Sequence, residues 1–212
     1  MKVTSLKYTK KGNRVNVYID GKFKLSLERS LITDLKIYKG VEINEELIED
    51  WRVKDQHERF ISKVLHLIAK RPRSEKEILD YLNKKLFKIE SRREIINLLI
   101  KKLKKDGHVD DYEFALWWIK NRMQFKPRGR YMLIRELRRK GIKYGIINEA
   151  IGEAGLDKER EIKYALELGE KKKRISKDIS GKKGRNRFLS YLVRKGFSYS
   201  IAKKVYEMLN ND

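Results

Sequence analysis

Ten Lys/Arg side chains stand between Lys120 and Lys143 against one acid, Glu136. So dense a set of fixed cations does one kind of chemistry: it draws in and holds polyanions, whether phosphodiester backbones or acidic protein faces. Arg135, Arg138 and Arg139 follow one another at helical spacing. At 100° per residue they fall on the side of a helix opposite Leu133, Ile134 and Leu137. Arg122, Lys126, Arg128 and Arg130 lead into this helix and Lys140 leaves it. These eight residues are the candidate site for a partner or nucleic acid.

Other chemistry is sparse. Asp106, Asp110, Asp111 and Glu113 form a local acid cluster. Either it holds a divalent ion, as a nuclease would, or its acids meet the unpaired N–H groups and positive dipole at a helix start. His57, His66 and His108 lack metal-ligand spacing. The chain has no cysteine, which excludes disulfides, zinc-thiolate sites and thiol catalysis. It has neither a Gly-rich phosphate loop nor a nucleophile elbow. The expectation is a protein that is not an enzyme and needs no cofactor or metal.

The cationic helix belongs to a repeating unit. Adding 55 to residue numbers carries Gly129-Arg130 onto Gly184-Arg185, and Leu133, Ile134 and Leu137 onto Phe188, Leu189 and Leu192. It also carries Lys140-Gly141-Ile142 onto Lys195-Gly196-Phe197, and Tyr144 and Ile146 onto Tyr199 and Ile201. Subtracting 55 gives Pro72-Arg73 and the stripe Ile78, Leu79 and Leu82. A constant offset over so many positions predicts three copies of one helical module. In the first copy Leu86-Phe87 replaces Gly-Ile, and this copy is the most divergent. At the three ridge positions it carries Asp80, Asn83 and Lys84, and the third copy carries Ser190, Val193 and Arg194. Only the middle copy shows three cations there.

Helix boundaries follow from capping signals. Ser74 with Glu77 and Ser91 with Glu94 read as capping boxes, and Gly107 ends the helix holding Ile95, Ile96, Leu99, Ile100 and Leu103. The first helix of the middle copy carries Phe114, Ala115 and Ile119. Its Trp117 and Trp118 point about 100° apart, so one is expected in the core and the other at a module boundary or partner surface. Tyr131, Met132 and Phe125 suit either base stacking or the seam to the next module. Lys171 to Arg187, with nine basic residues and one acid, Asp178, reads as a long loop containing Ser180, Gly181 and Gly184.

The first 50 residues differ. Val15, Val17 and Ile19 alternate with polar neighbours, Asp20-Gly21 turns the chain, and Phe23, Leu25 and Leu27 alternate on the way back, a hairpin signature. Val3 to Tyr8 is a third strand, joined through Lys11-Gly12-Asn13. A short helix near Arg29 to Ile37 and one capped by Asn44 follow. The fold class is mainly α, a small N-terminal β-hairpin or three-stranded cap followed by three tandem three-helix repeats in an elongated, curved array. The expected domains are 1–50 for the cap, then 55–107, 110–155 and 157–212 for the repeats.

The whole chain has 53 Lys+Arg against 30 Asp+Glu, a formal net charge of +23. The first 50 residues contribute little of it, ten bases against eight acids. No apolar run nears the roughly 20 residues that span a bilayer. The N-terminus lacks a secretory pattern, the last helix runs almost to the final residue, and the expected compartment is the cytoplasm.

Pro127-Arg128-Gly129 through Leu137-Arg138-Arg139-Lys140-Gly141-Ile142 resembles the central signature of the RecX regulatory proteins. Gly107-His108-Val109-Asp110-Asp111 before Phe114-Ala115 is similar to a second family string, with His108 where an aromatic is usual. Arg194-Lys195-Gly196-Phe197-Ser198-Tyr199 resembles the C-terminal string. The resemblance covers Asp55 to the end, and the N-terminal hairpin looks like the extension of longer members. It implies tandem three-helix repeats that lie in the groove of a RecA–DNA filament and inhibit recombinase ATP hydrolysis, strand exchange and co-protease activity. The implied partners are a RecA-type recombinase filament and single- or double-stranded DNA, met by a monomer. Two other readings of the residues stand beside it: a plain DNA-binding protein using helix-turn-helix-like repeats, and an adaptor whose charge serves solubility.

Overall fold

Alternating Val15, Val17 and Ile19 build the middle strand of an antiparallel sheet. Strands β1 (Val3–Tyr8), β2 (Arg14–Ile19) and β3 (Lys22–Glu28) pair in the order β1-β2-β3. Asp20 and Gly21 both take positive φ, 47° and 80°, as a tight two-residue hairpin turn requires. This computed structural model describes residues 1–10, 12–175 and 181–210, so Lys11 of the expected β1–β2 connection lies outside the described residues.

One strand residue departs from simple alternation. Val17 pairs with Leu25 but Tyr18 pairs with Phe23, a bulge that inserts Lys24 into β3. Leu25 and Leu27 stay in the core, whereas Phe23 turns outward and is 57 % exposed. It meets Tyr18 edge-on, with ring centroids 6.0 Å apart.

Helix α1 (Arg29–Asp34) follows the sheet. The helix capped by Asn44 and the first helix of the first repeat, expected as separate pieces, are one 26-residue helix, α2 (Glu45–Lys70). The cap at its start is as expected: Asn44 Oδ1 accepts from the Leu47 N–H at 2.8 Å. Helix α2 continues across 50–55 because Ile48 and Trp51 pack into the core with Val17, Leu25 and Leu27, while Ile61 and Val64 extend the buried stripe downstream.

The tie between α2 and the sheet is polar as well as apolar. Asp55 is 6 % exposed. Its Oδ2 sits 2.9 Å from Arg14 Nη2 and 2.9 Å from Arg59 Nε, and its Oδ1 accepts from the Glu28 N–H at 2.8 Å. Removing the carboxylate leaves the Glu28 N–H without its acceptor and takes from the half-buried Arg14 guanidinium one of its two carboxylate partners, the Glu28 side chain at 3.3 Å being the other. Asp55→Ala is therefore expected to cost about 3 kcal/mol, read as a lower urea midpoint, and Asp55→Asn about half of that.

Helices α3 (Glu75–Lys85) and α4 (Arg92–Lys105) come next. Ser74 and Glu77 form the reciprocal capping box: the Glu77 N–H donates to Ser74 Oγ at 3.2 Å and the Ser74 N–H to Glu77 Oε2 at 3.4 Å. Ser91 makes no such bond. Its φ of −79° and ψ of 17° belong to a turn, not to the extended backbone that aims a cap side chain inward.

The remaining helices are α5 (Asp111–Phe125), α6 (Arg130–Arg139), α7 (Tyr144–Glu153), α8 (Lys158–Ile175), α9 (Gly181–Arg194) and α10 (Tyr199–Asn210). Among the described residues no strand follows β3. Helices α8 and α9 occupy much of the stretch expected as a loop: residues 171–175 extend α8 and 181–187 open α9. Lys and Arg are good helix formers, so the charge run continues α8. Asp178 and Ser180 lie outside the described residues.

Two compact units result. One holds Met1–Arg71 and Tyr81–His108, the other Pro72–Asp80 and Val109–Asp212. Within the second, α5, α6 and α7 enclose Phe114, Ile119, Leu133, Leu137, Ile147 and Ile151. Helices α8, α9 and α10 enclose Phe188, Leu189, Leu192, Ile201 and Val205. Tyr164 packs against both cores.

The repeated Lys-Gly-apolar string now has a physical reason. Gly141 at φ 87° and Gly196 at φ 95° end α6 and α9 in the left-handed conformation. The next N–H reaches back, Ile142 to Leu137 O at 3.1 Å and Phe197 to Leu192 O at 3.3 Å. Ile142 and Phe197 are both buried, the apolar contact that accompanies this helix end.

Candidate polyanion-binding site

Arg, Leu, Met and Glu favour helix, and a stripe of Leu133 and Leu137 fastens α6 to the core. The opposite side is left to Arg135, Arg138 and Arg139, all exposed. Arg138 and Arg139 have no carboxylate partner among the described residues, and Arg135 Nη2 reaches only Met132 Sδ, at 2.9 Å. Their three charges face outward uncompensated. Lys126, just past the end of α5, is exposed too.

The other four candidates turn inward. Arg122 Nε donates to Glu136 Oε2 at 2.8 Å and its guanidinium lies 4.5 Å from the Trp118 ring centre. Lys140 Nζ pairs with Glu77 Oε1 at 2.7 Å and lies 4.5 Å from the same ring. Arg130 Nη2 donates to Asn148 Oδ1 at 3.1 Å. Arg128 is half-buried, and its Nε meets no acceptor. Trp118 Nε1 donates to Glu136 Oε2 at 2.8 Å. Neither tryptophan is fully buried: Trp117 and Trp118 flank Phe114 with centroids 5.9 Å away in each case, correcting the expectation of one core and one boundary ring.

A joint repeats along this unit. At the start of α3, Ser74 Oγ donates to Lys140 O at 2.8 Å, and the Glu75 N–H donates to Asp111 Oδ1 at 2.8 Å. At the start of α6, the Gly129 N–H donates to Lys195 O at 3.1 Å, and the Arg130 N–H to Glu161 Oε1 at 2.7 Å. Thus α3 and α6, the second helices of the first two repeats, are each capped by a carboxylate from the first helix of the next repeat. Asp110 caps its own helix, accepting from Tyr112 and Glu113 N–H groups at 2.7 and 3.1 Å. The two central members of the acid cluster are engaged as helix caps. Among the described residues no group of three His, Cys, Asp or Glu side chains is arranged to hold a metal.

Glu161, absent from the sequence-derived site, is nearly buried. Burial raises its carboxyl above the usual glutamate range, and the Arg130 N–H and charge pull only partly back. The folded state therefore holds this proton more tightly than the unfolded chain. Its contribution is full below the ordinary glutamate pKa and is lost as pH rises through the raised value. Glu161→Gln keeps the acceptor for Arg130 and removes the titration. The expected result is equal or greater stability at pH 7, with the difference from wild type shrinking as pH falls below the ordinary glutamate range, measured by urea unfolding across pH.

Known proteins align with this architecture. Residues 1–44 match the model of the regulatory protein RecX N-terminal domain. Residues 110–151 match the RecX second three-helix domain, and 159–206 the third. The regulatory protein RecX of Bacillus licheniformis is 30% identical over 188 residues, covering 89% of this chain and 69% of that one. The chain belongs to the RecX family. Regulatory protein RecX of Listeria monocytogenes is 29% identical over 206 residues, covering 96% of this chain and 74% of its own. A crystal structure of regulatory protein RecX superposes with a TM-score of 0.79 at 26% identity, covering 100% of this chain and 99% of that one.

Within this RecX-family fold, the second and third three-helix domains hold both the exposed arginine ridge and the capped joint. No helix among the described residues is long and apolar enough to cross a membrane. The relatives carry the name of regulatory proteins, which accords with a site built of fixed charges.

Proposed function

We propose that this chain acts as a monomer on a RecA-type recombinase–DNA filament, lying in its groove and restraining ATP hydrolysis, strand exchange and co-protease activity. Membership of the RecX family supports the partner. The observation that carries the contact is the ridge of Arg135, Arg138 and Arg139, three exposed cations on one helix without a carboxylate partner among the described residues. A protein working on such a filament meets phosphates and acidic protein faces, both of which favour an uncompensated cationic helix. Lys126 extends the ridge toward the end of α5. Arg122, Arg130 and Lys140 support it from behind through their bonds to Glu136, Asn148 and Glu77.

Co-sedimentation with preformed recombinase–single-strand filaments, compared with naked DNA, tests the reading. The expected result is preferential pelleting with filaments and a lower rate of recombinase ATP hydrolysis. Equal pelleting with bare DNA, and no effect on hydrolysis, would leave a plain DNA-binding protein instead.

A further inference from the structure

Of the three histidines, His66 and His108 are exposed, whereas His57 is half-buried. His57 shares one stripe of α2 with the buried Ile61 and Val64, at helical steps of four and three. Helix α4 lies against α2 and buries its own stripe of Ile96, Leu99, Ile100 and Leu103. Charged groups meet across this seam, with Glu58 Oε1 2.5 Å from Lys102 Nζ. The imidazole is left out of that pairing. Its Nε2 is buried and meets no hydrogen-bond partner among the described residues.

The surroundings of the ring oppose a positive charge on it. An imidazolium donates from both nitrogens, so a proton taken up by His57 leaves the Nε2–H buried without an acceptor. Lys102 bears on the ring from α4, and Glu58 bears on it from its own helix but is already held by Lys102. Toward the sheet, Arg14 is engaged with Glu28 and Asp55. Burial chiefly holds the His57 pKa below the ordinary 6.5; Glu58 pulls it up and Lys102 pushes it down. The fold therefore binds this proton more weakly than the unfolded chain does. The stability that depends on a neutral ring is complete above pH 6.5 and is lost as pH falls through 6.5 toward the depressed value. Ordinary carboxylates stay ionised in that window. Glu161, whose proton the fold holds more tightly, acts in the opposite direction.

We propose that His57 is a proton-sensitive latch on the seam between α2 and α4: one proton from solvent, taken up by its imidazole at mildly acid pH, frees α4 from α2. The device uses none of the residues of the α6 ridge and does not rest on the filament reading.

Hydrogen–deuterium exchange on the full chain at about pH 7.5 and 5.5, either side of the window, tests it. Each rate is divided by the intrinsic chemical rate at that pH. Protection of the Arg92–Lys105 amides is expected to fall about threefold or more between the two conditions, while that of Tyr144–Glu153 holds. His57→Gln, neutral at both pH values, should abolish the fall. His57→Phe should do the same, and replaces it if an amide at that depth weakens the fold. His66→Gln and His108→Gln, at exposed positions, should leave the fall intact. The two charged neighbours should move it in opposite directions. Glu58→Gln removes the anion that favours an imidazolium and deepens the fall; Lys102→Met removes the opposing cation, releases Glu58 to the ring and makes the fall shallower. An ion pair with a structural role alone would shift protection equally at both pH values. Equal protection of α4 at the two pH values in the wild type overturns the proposal. So does a fall that persists in both His57→Gln and His57→Phe, or one shared evenly by Tyr144–Glu153.

Discussion

Replacing Arg135, Arg138 and Arg139 together by Ala is expected to weaken binding to the recombinase–DNA filament by roughly a hundredfold, with helicity unchanged. Each exposed cation in a charged contact contributes on the order of 1 kcal/mol, and three together give about two orders of magnitude. The three side chains make no ion pair among the described residues, so their loss leaves no buried charge stranded. Inhibition of recombinase ATP hydrolysis should fall in step. If phosphates are the target, affinity for bare DNA drops in parallel and the salt slope shrinks. If acidic recombinase residues are the target, filament binding drops far more than binding to DNA. Unchanged filament affinity in the folded triple variant would refute the assignment. Arg122→Ala or Lys140→Ala should behave differently: each takes the cation from a half-buried glutamate, Glu136 or Glu77, that keeps its bond from Trp118 Nε1 or the Ser74 N–H, and the loss appears in stability.

The second large effect is expected from a single methyl group. A Cβ on Gly129 would fall closer than 3.0 Å to the Gly196 carbonyl and the Phe197 nitrogen, both backbone. Gly129 has φ −71° and ψ 160°, a conformation alanine adopts freely. The penalty of Gly129→Ala is thus steric alone. Backbone on both sides cannot yield as a side-chain tip does, and about 3 kcal/mol or more of destabilisation follows. The Gly129 N–H bond to Lys195 O and the Tyr131 N–H bond to Gly196 O would be lost with the spacing. Gly152→Ala is the comparison, since nothing lies within 4 Å of its added Cβ. It should stabilise α7 by up to about 1 kcal/mol. Urea midpoints read both; a midpoint for Gly129→Ala equal to wild type would mean that the close approach does not exist.

The repeat, its helices and the N-terminal hairpin were legible because they rest on local, periodic signals. Leu133 and Leu137, Phe188 and Leu192, and Ile78 and Leu82 recur at one offset and are all buried. Asp20-Gly21 marks its turn by conformation alone. Where local signals compete with packing they misled. Phe23 continues the apolar alternation of β3, yet the bulge at Lys24 turns it to solvent. Residues 50–55 look like a junction, yet Ile48 and Trp51 hold α2 continuous by packing under the sheet.

The eight cations show the same division. Their number and helical phase are properties of the sequence, and these alone marked out the ridge of Arg135, Arg138 and Arg139. Which charges are spent internally is a matter of what lies across space from them. Glu77 stands 63 residues before Lys140, and Glu161, whose carboxylate takes the Arg130 backbone N–H, stands 31 residues after it. No periodicity links such pairs. The +55 register does connect Lys140 with Lys195 and Glu77 with Met132, but it carries meaning only once the first pair is seen to touch. Composition determined that this protein carries a large positive charge, and periodicity determined which helix displays it. Tertiary structure decided which of those charges remain available, because a cation is neutralised by the acid that packing brings within 3 Å, wherever that acid lies in the chain.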